Sequence, residues 1–124
     1  LINCDLKELP PDLAEIDNLH EVNFSGNKIQ VLHKSLMIHS GTKHSQLRKL
    51  VMNNNLINFI EVGVMSGDQL NELIVLNLAN NRLSYLPGDF LAGAVNLEIC
   101  DLSSNHLQSL PDSILWCKKM RVLD

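Results

Sequence analysis

Leu73-Ile74-Val75-Leu76-Asn77-Leu78-Ala79-Asn80-Asn81-Arg82-Leu83 decides the architecture of this chain. Leu97-Glu98-Ile99-Cys100-Asp101-Leu102-Ser103-Ser104-Asn105-His106-Leu107 repeats its frame further on. Numbered from the first leucine, the frame has apolar residues at positions 1, 4, 6 and 11 and Asn at position 9. Two upstream copies fit it: Leu47, Leu50, Met52, Asn55, Ile57 and, before them, Leu19, Val22, Phe24, Asn27, Ile29. A half copy opens the chain at Leu1, Cys4 and Leu6, with Cys4 in position 9, and a partial copy closes it at Met120 and Leu123. Position 1 falls at Leu19, Leu47, Leu73, Leu97 and Met120, so the period shortens steadily along the chain.

A segment of this length cannot bury its apolar side alone, so self-similarity at such a period means coils stacked on one another. Apolar alternation at positions 4 and 6 makes a short strand with one face inward. Stacking joins these strands into a parallel sheet. The frame resembles the leucine-rich repeat. It predicts an α/β solenoid in a horseshoe arc, with a concave parallel sheet and short helical or irregular convex returns. Residues 1–124 form one domain, with four full repeats starting near 19, 47, 73 and 97 and partial repeats at both ends. Since both ends fall inside a repeat, the chain is expected to be a piece of a longer protein.

At position 9 the chain turns away from the sheet. An Asn amide both donates and accepts, so it can satisfy backbone groups that the turn would strand. Cys4, Asn27, Asn55, Asn81 and Asn105 are therefore predicted to form a structural ladder, with Cys4 only partly able to substitute. The other cysteines, Cys100 at position 4 and Cys117 at position 21, also replace buried consensus residues. The frame sets these three too far apart, or on opposite walls, for the roughly 7 Å reach of a disulfide. Reduced core thiols in a cytoplasmic or nuclear protein are the expectation.

Hydrophobic residues make up 45% of the 124-residue chain but aromatics only 4%, which suits coils filled by aliphatics. The net charge of -4, with both signs interspersed, offers no basic stripe for nucleic acid. No apolar run approaches the roughly 20 residues of a membrane span. His33, His39 and His44 fall in or beside one long return with no carboxylate close in sequence, so they predict solvated loop histidines rather than a metal site. No nucleophile has a frame-fixed His and acid beside it, and no phosphate-binding Gly loop occurs. Catalytic, cofactor and metal residues are thus expected to be absent from this segment. Asn23-Phe24-Ser25 matches a glycosylation sequon, a triplet common by chance where Asn is abundant.

Contact is what the frame provides for. Positions 3, 5 and 7 point out of the sheet, and the candidate binding face is Lys49, Val51, Val75, Asn77, Ile99, Asp101 and Val122. The column Lys49, Val75, Ile99, Val122 turns apolar toward the C-terminal end, with polar residues on its flank. Such an apolar strip with a polar rim is the anatomy of a protein-binding patch.

Position 14–15 reads Leu-Pro at Leu9-Pro10, Leu86-Pro87 and Leu110-Pro111, where Pro should end the extended stretch. Short helical turns are expected after the first and third of these. The irregular coils narrow the resemblance further. A long return, Ser40-Gly41-Thr42 at its centre, is followed by one containing Val64-Met65-Ser66-Gly67-Asp68. The shorter coil from Leu73 comes next, then a compact one ending Ile114-Leu115-Trp116-Cys117-Lys118-Lys119-Met120. This succession resembles the repeat array of the PH-domain leucine-rich-repeat protein phosphatases, although two coils here are longer than that family's. The resemblance implies a PH domain before the repeats and a Mn/Mg-dependent, PP2C-type Ser/Thr phosphatase domain after them, acting on signalling kinases. It carries over no catalytic residue. The alternatives are a non-enzymatic intracellular scaffold or adaptor, the repeat region of a Roco-type kinase and, third, a receptor ectodomain.

Overall fold

The computed structural model describes residues 1–9, 19–33, 47–62, 64 and 70–113, and the backbone of 121–123. Five short strands build the main sheet: β1 (Glu21–Asn23), β3 (Lys49–Val51), β5 (Val75–Asn77), β6 (Ile99–Asp101) and β7 (Arg121–Leu123). They lie side by side in the order β1-β3-β5-β6-β7, every pair parallel. The register places like frame positions opposite one another, as in Glu21↔Lys49, Lys49↔Val75 and Val75↔Ile99. This is the solenoid that the frame predicts.

Packing follows the frame slot by slot. Position 4 (Val22, Leu50, Leu76, Cys100) and position 6 (Phe24, Met52, Leu78, Leu102) are buried in each of these four coils. So are Leu47, Leu73 and Leu97 at position 1 and Ile29, Ile57 and Leu83 at position 11. Each fully buried Leu stabilises the stack by about 1.5–3 kcal/mol. One contiguous core runs from Val22 to Leu102, with Leu6, Leu9, Leu19 and Leu107 half-buried against it.

The last strand departs from expectation. Ile99 pairs with Arg121 and Cys100 with Val122, so this strand sits one position earlier than the frame predicts. Val122 thus falls opposite the inward slot of Cys100, not on the outer column predicted for it. Both Val122 and Leu123 suit an inward slot, so the terminal residues leave the register open by one, and one step exchanges the faces.

A second ladder, which the sequence reading did not anticipate, stands on the return side. β2 (Val31–Leu32) pairs in parallel with β4 (Phe59–Ile60). Proline explains its extent. Glu61, at position 15, donates its N–H to the Leu32 carbonyl at 3.1 Å. The coil after β4 has Pro87 at that position, with no N–H to offer Ile60. The coil before β2 carries Pro10 at the same position, which lies outside the described residues. Among the described residues the ladder joins the two coils that lack Leu-Pro, and Pro87 stands where it would continue.

Beyond Pro87 the return is a run of tight turns, Phe90 N–H to Pro87 O at 3.0 Å, Ala92 to Asp89 at 2.9 Å and Ala94 to Leu91 at 3.1 Å. They bury Phe90, Leu91 and Ala94, and Leu91 accepts a φ of 64° to do so. Among the described residues no return forms an α-helix. Asp112 and Ser113 begin a tight turn after Pro111, while residues 10–18, 34–46, 63, 65–69, 114–120 and 124 lie outside the described set.

Candidate partner-binding face

Position 9 shows how the coils are joined. Asn81 Nδ2 donates to the carbonyl of Leu78 in its own coil and to that of Met52 in the coil before, both at 3.0 Å. Its Oδ1 accepts from Ile57 N–H at 3.0 Å. Asn55 does the same with Met52, Phe24 and Ile29, and Asn105 with Leu102, Leu78 and Leu83. Asn27 donates to Phe24 and Leu1 and accepts from the backbones of Cys4 and Leu6. Asn27, Asn55 and Asn81 are buried. Asn105 is half-buried.

Cys4 occupies the frame slot as expected but is exposed, which corrects its assignment as a core thiol. Its Sγ offers one weak bond to Ile2 O at 3.3 Å, against the two that Asn27 Nδ2 makes to Leu1 O and Phe24 O, both at 2.8 Å. It lies in the outermost described coil, covered from one side only, and Leu1 and Ile2 beside it are 64% and 52% exposed. Cys100 is buried. Cys117 lies outside the described residues.

Position 8 is a column that the apolar frame hides. Asn3, Gly26, Asn54, Asn80 and Ser104 all take left-handed backbone, with φ from 54° to 71°. Gly and Asn tolerate this region and Ser does so less readily. The signal was present as small polar residues one step before each ladder position. Asn80 Nδ2 also donates to Asn54 Oδ1 at 2.6 Å, an exposed rung beside the buried ones.

On the outer face Lys49 is exposed, while Val51, Val75, Asn77, Ile99 and Asp101 are half-buried. The strands bring all six together on β3, β5 and β6. Asn77 and Asp101 have a local task as well. Their Oδ1 atoms accept the N–H of Ala79 and Ser103, each at 3.0 Å, and Asn23 treats Ser25 likewise. These bonds fasten the strand end where the chain turns. Asp101 Oδ1 also accepts from Ser103 Oγ at 2.6 Å. Val51, Val75 and Ile99 have no such role and form the apolar part of the face. Arg48 and Lys49, both exposed, stand at one side of it and Glu98 at the other.

Of the loop histidines, His33 is not simply solvated. Its Nδ1 contacts Glu61 Oε1. Both residues hold position 15, and the β2–β4 register aligns them, so the carboxylate comes from the next coil rather than from nearby in sequence. His39 and His44 lie outside the described residues. Among the described residues no cluster of His, Cys, Asp and Glu is arranged to hold a metal ion. Nor is any helix among them long and apolar enough to cross a membrane.

Known proteins share this pattern. Residues 45–107 match the family described as leucine rich repeat. The chain is 34% identical over 111 residues to PH domain leucine-rich repeat-containing protein phosphatase 1 of Homo sapiens, covering 90% of this chain and 6% of the relative. It is 26% identical over 121 residues to volume-regulated anion channel subunit LRRC8A of Homo sapiens, covering 98% and 11%. A probable inactive serine/threonine-protein kinase of Dictyostelium discoideum, roco10, is 27% identical over 125 residues, covering 99% and 4%. The chain thus spans only about 6% of the length of the phosphatase relatives. Among solved structures, a leucine-rich-repeat protein of Leptospira interrogans superposes with a TM-score of 0.73 at 27% identity, over 94% of this chain and 28% of that one. Frame, parallel sheet, asparagine ladder and matches converge: this chain belongs to the leucine-rich repeat family, whose repeats serve as protein-interaction modules.

Proposed function

We propose that this segment captures a protein partner on the outer face of its main sheet and does so for a protein phosphatase. The catalytic domain, PP2C-type with Mn or Mg, would lie elsewhere in a longer cytoplasmic chain, and the partners would be signalling kinases. The observation that carries the reading is the apolar trio Val51, Val75 and Ile99, half-buried on an otherwise polar face. Asn77 and Asp101 beside them are occupied with holding strand ends. The 34% identity to the human phosphatase over nine-tenths of the chain supports the enzymatic context. Tethering a substrate beside a catalytic domain raises its effective concentration, into the millimolar range for short flexible links.

The test is Val75→Glu with Ile99→Glu in the parent protein, followed by proximity labelling and pull-down. The expected result is loss of a specific partner with unaltered circular dichroism; an unchanged partner profile refutes the assignment of the face. A second reading, a non-enzymatic scaffold or a Roco-type parent, is favoured by matches that span 98% and 99% of the chain in proteins named for other activities. The flanking sequence separates them. Spaced Asp and Asp-Gly metal ligands downstream support the phosphatase, and a PDZ or GTPase-kinase region supports the rival.

A further inference from the structure

Column 3 of the main sheet reads Glu21, Lys49, Val75, Ile99 and, by register, Arg121. A basic residue stands next to two apolar ones, each a strand further on. Arg48 adds a second exposed cation at the same edge. The ion pairs among the described residues are Lys28–Asp5 and His33–Glu61, so within that set neither Arg48 nor Lys49 is neutralised by one. Beyond the neighbouring column of Asn23, Val51, Asn77 and Asp101, position 7 carries the small residues Ser25, Ala79 and Ser103 in three of four coils.

Resting on the reading of this face as the partner site, we infer that its occupant is an amphipathic helix lying across the strands, with an acidic residue over Arg48 and Lys49 and apolar residues one and two turns later over Val75 and Ile99. Spacing argues for a helix. Neighbouring strands are about 4.8 Å apart, so the step from Lys49 to Ile99 is about 10 Å. Residues i, i+4 and i+7 of a helix line one face and span about 10.5 Å at about 1.5 Å per residue. An extended segment crossing the strands presents one face at intervals of about 6.6 Å and falls out of step by the second contact. Charge sets the direction, since an acid over the two cations gains what an apolar or basic residue there forfeits.

The probe is a short Ala/Gln-based helical peptide with Glu at i and Leu at i+4 and i+7, titrated into the isotope-labelled 124-residue chain. The expected amide shifts cluster on β3, β5 and β6. Replacing the Glu by Lys should weaken binding at least about tenfold, and Lys49→Glu should invert that preference. Lys49 is exposed, so this variant does not threaten folding. Equal binding of both peptides, equal binding of a proline-interrupted isomer, or shifts on another surface would overturn the helix assignment. If the Val75→Glu, Ile99→Glu parent still loses its partner in those cases, the face stands and the helix alone falls. If the partner is kept, both fall.

Discussion

Asn81→Ala tests the ladder most directly, because the structure says which groups lose their partners. Met52 O keeps a bond from Asn55 Nδ2 at 3.0 Å, and Leu78 O keeps one from Asn105 Nδ2 at 2.9 Å. The Ile57 N–H loses Asn81 Oδ1, its partner, in a buried setting. One orphaned buried donor costs about 1–3 kcal/mol, and each of two weakened carbonyls adds about half a kcal/mol. The expected loss is therefore about 3 kcal/mol. For a chain of this size that corresponds to roughly 10 °C in Tm. Urea unfolding followed by circular dichroism reads it as a shift of midpoint at constant slope. Asn81→Asp sharpens the test. It keeps the acceptor for Ile57 but turns a carboxylate oxygen toward the Met52 and Leu78 carbonyls. At neutral pH it should be worse than Ala, and it should recover as pH falls and the acid regains a proton to donate. An Ala variant within about 0.5 kcal/mol of the parent, or an Asp variant as stable as the parent, would refute the reasoning.

Three further outcomes follow from single positions. Ser104→Asn should stabilise by about 0.5 kcal/mol, since Ser104 sits at a φ of 56° that Asn tolerates better; a lower unfolding midpoint would contradict this. Asn53 has a buried Oδ1 without a hydrogen-bond partner, in a column where Ser25, Ala79 and Ser103 are smaller. Asn53→Ala should therefore be neutral or stabilising by about 1 kcal/mol, and a loss beyond about 0.5 kcal/mol in the same urea assay would assign that amide a role. Pro87→Ala restores an N–H opposite Ile60, and hydrogen exchange should find the new amide protected; exchange at the free-peptide rate would show that proline is not what ends the second ladder.

The repeat frame was legible because each slot carries one chemical demand. Leu76, Leu102 and the asparagines announce inward apolar groups and turn amides, and the structure seats them so. The second ladder was not legible, because Val31-Leu32 and Phe59-Ile60 are too short as strands for alternation to show. Its C-terminal limit was nonetheless written in the sequence as Pro87 at position 15. The His33–Glu61 contact depends on that unread ladder, so local reading left the histidine in solvent. Val122 failed for another reason: adjacent Val122 and Leu123 leave register to pairing alone. On the outer face, the position of Lys49, Val75 and Ile99 was readable from period two. That Asn77 and Asp101 cap strand ends is geometry, and no pattern of hydropathy encodes it.

The proline-limited ladder has a mechanical consequence. Curvature in a pile of coils is a difference in height between its two sides. Where β1 meets β3 and β2 meets β4, hydrogen bonds hold both sides at the same interstrand rise of about 4.8 Å, which leaves little wedge. From Pro87 onward no backbone ladder joins the described returns, and their spacing is set by the bulk of Phe90, Leu91 and Ala94 and by side-chain bonds such as Ser113 Oγ to Phe90 O at 2.7 Å. Beside the strands that carry Val75 and Ile99 the height of the return side is therefore a matter of side-chain packing, which substitution can tune, rather than of backbone pairing.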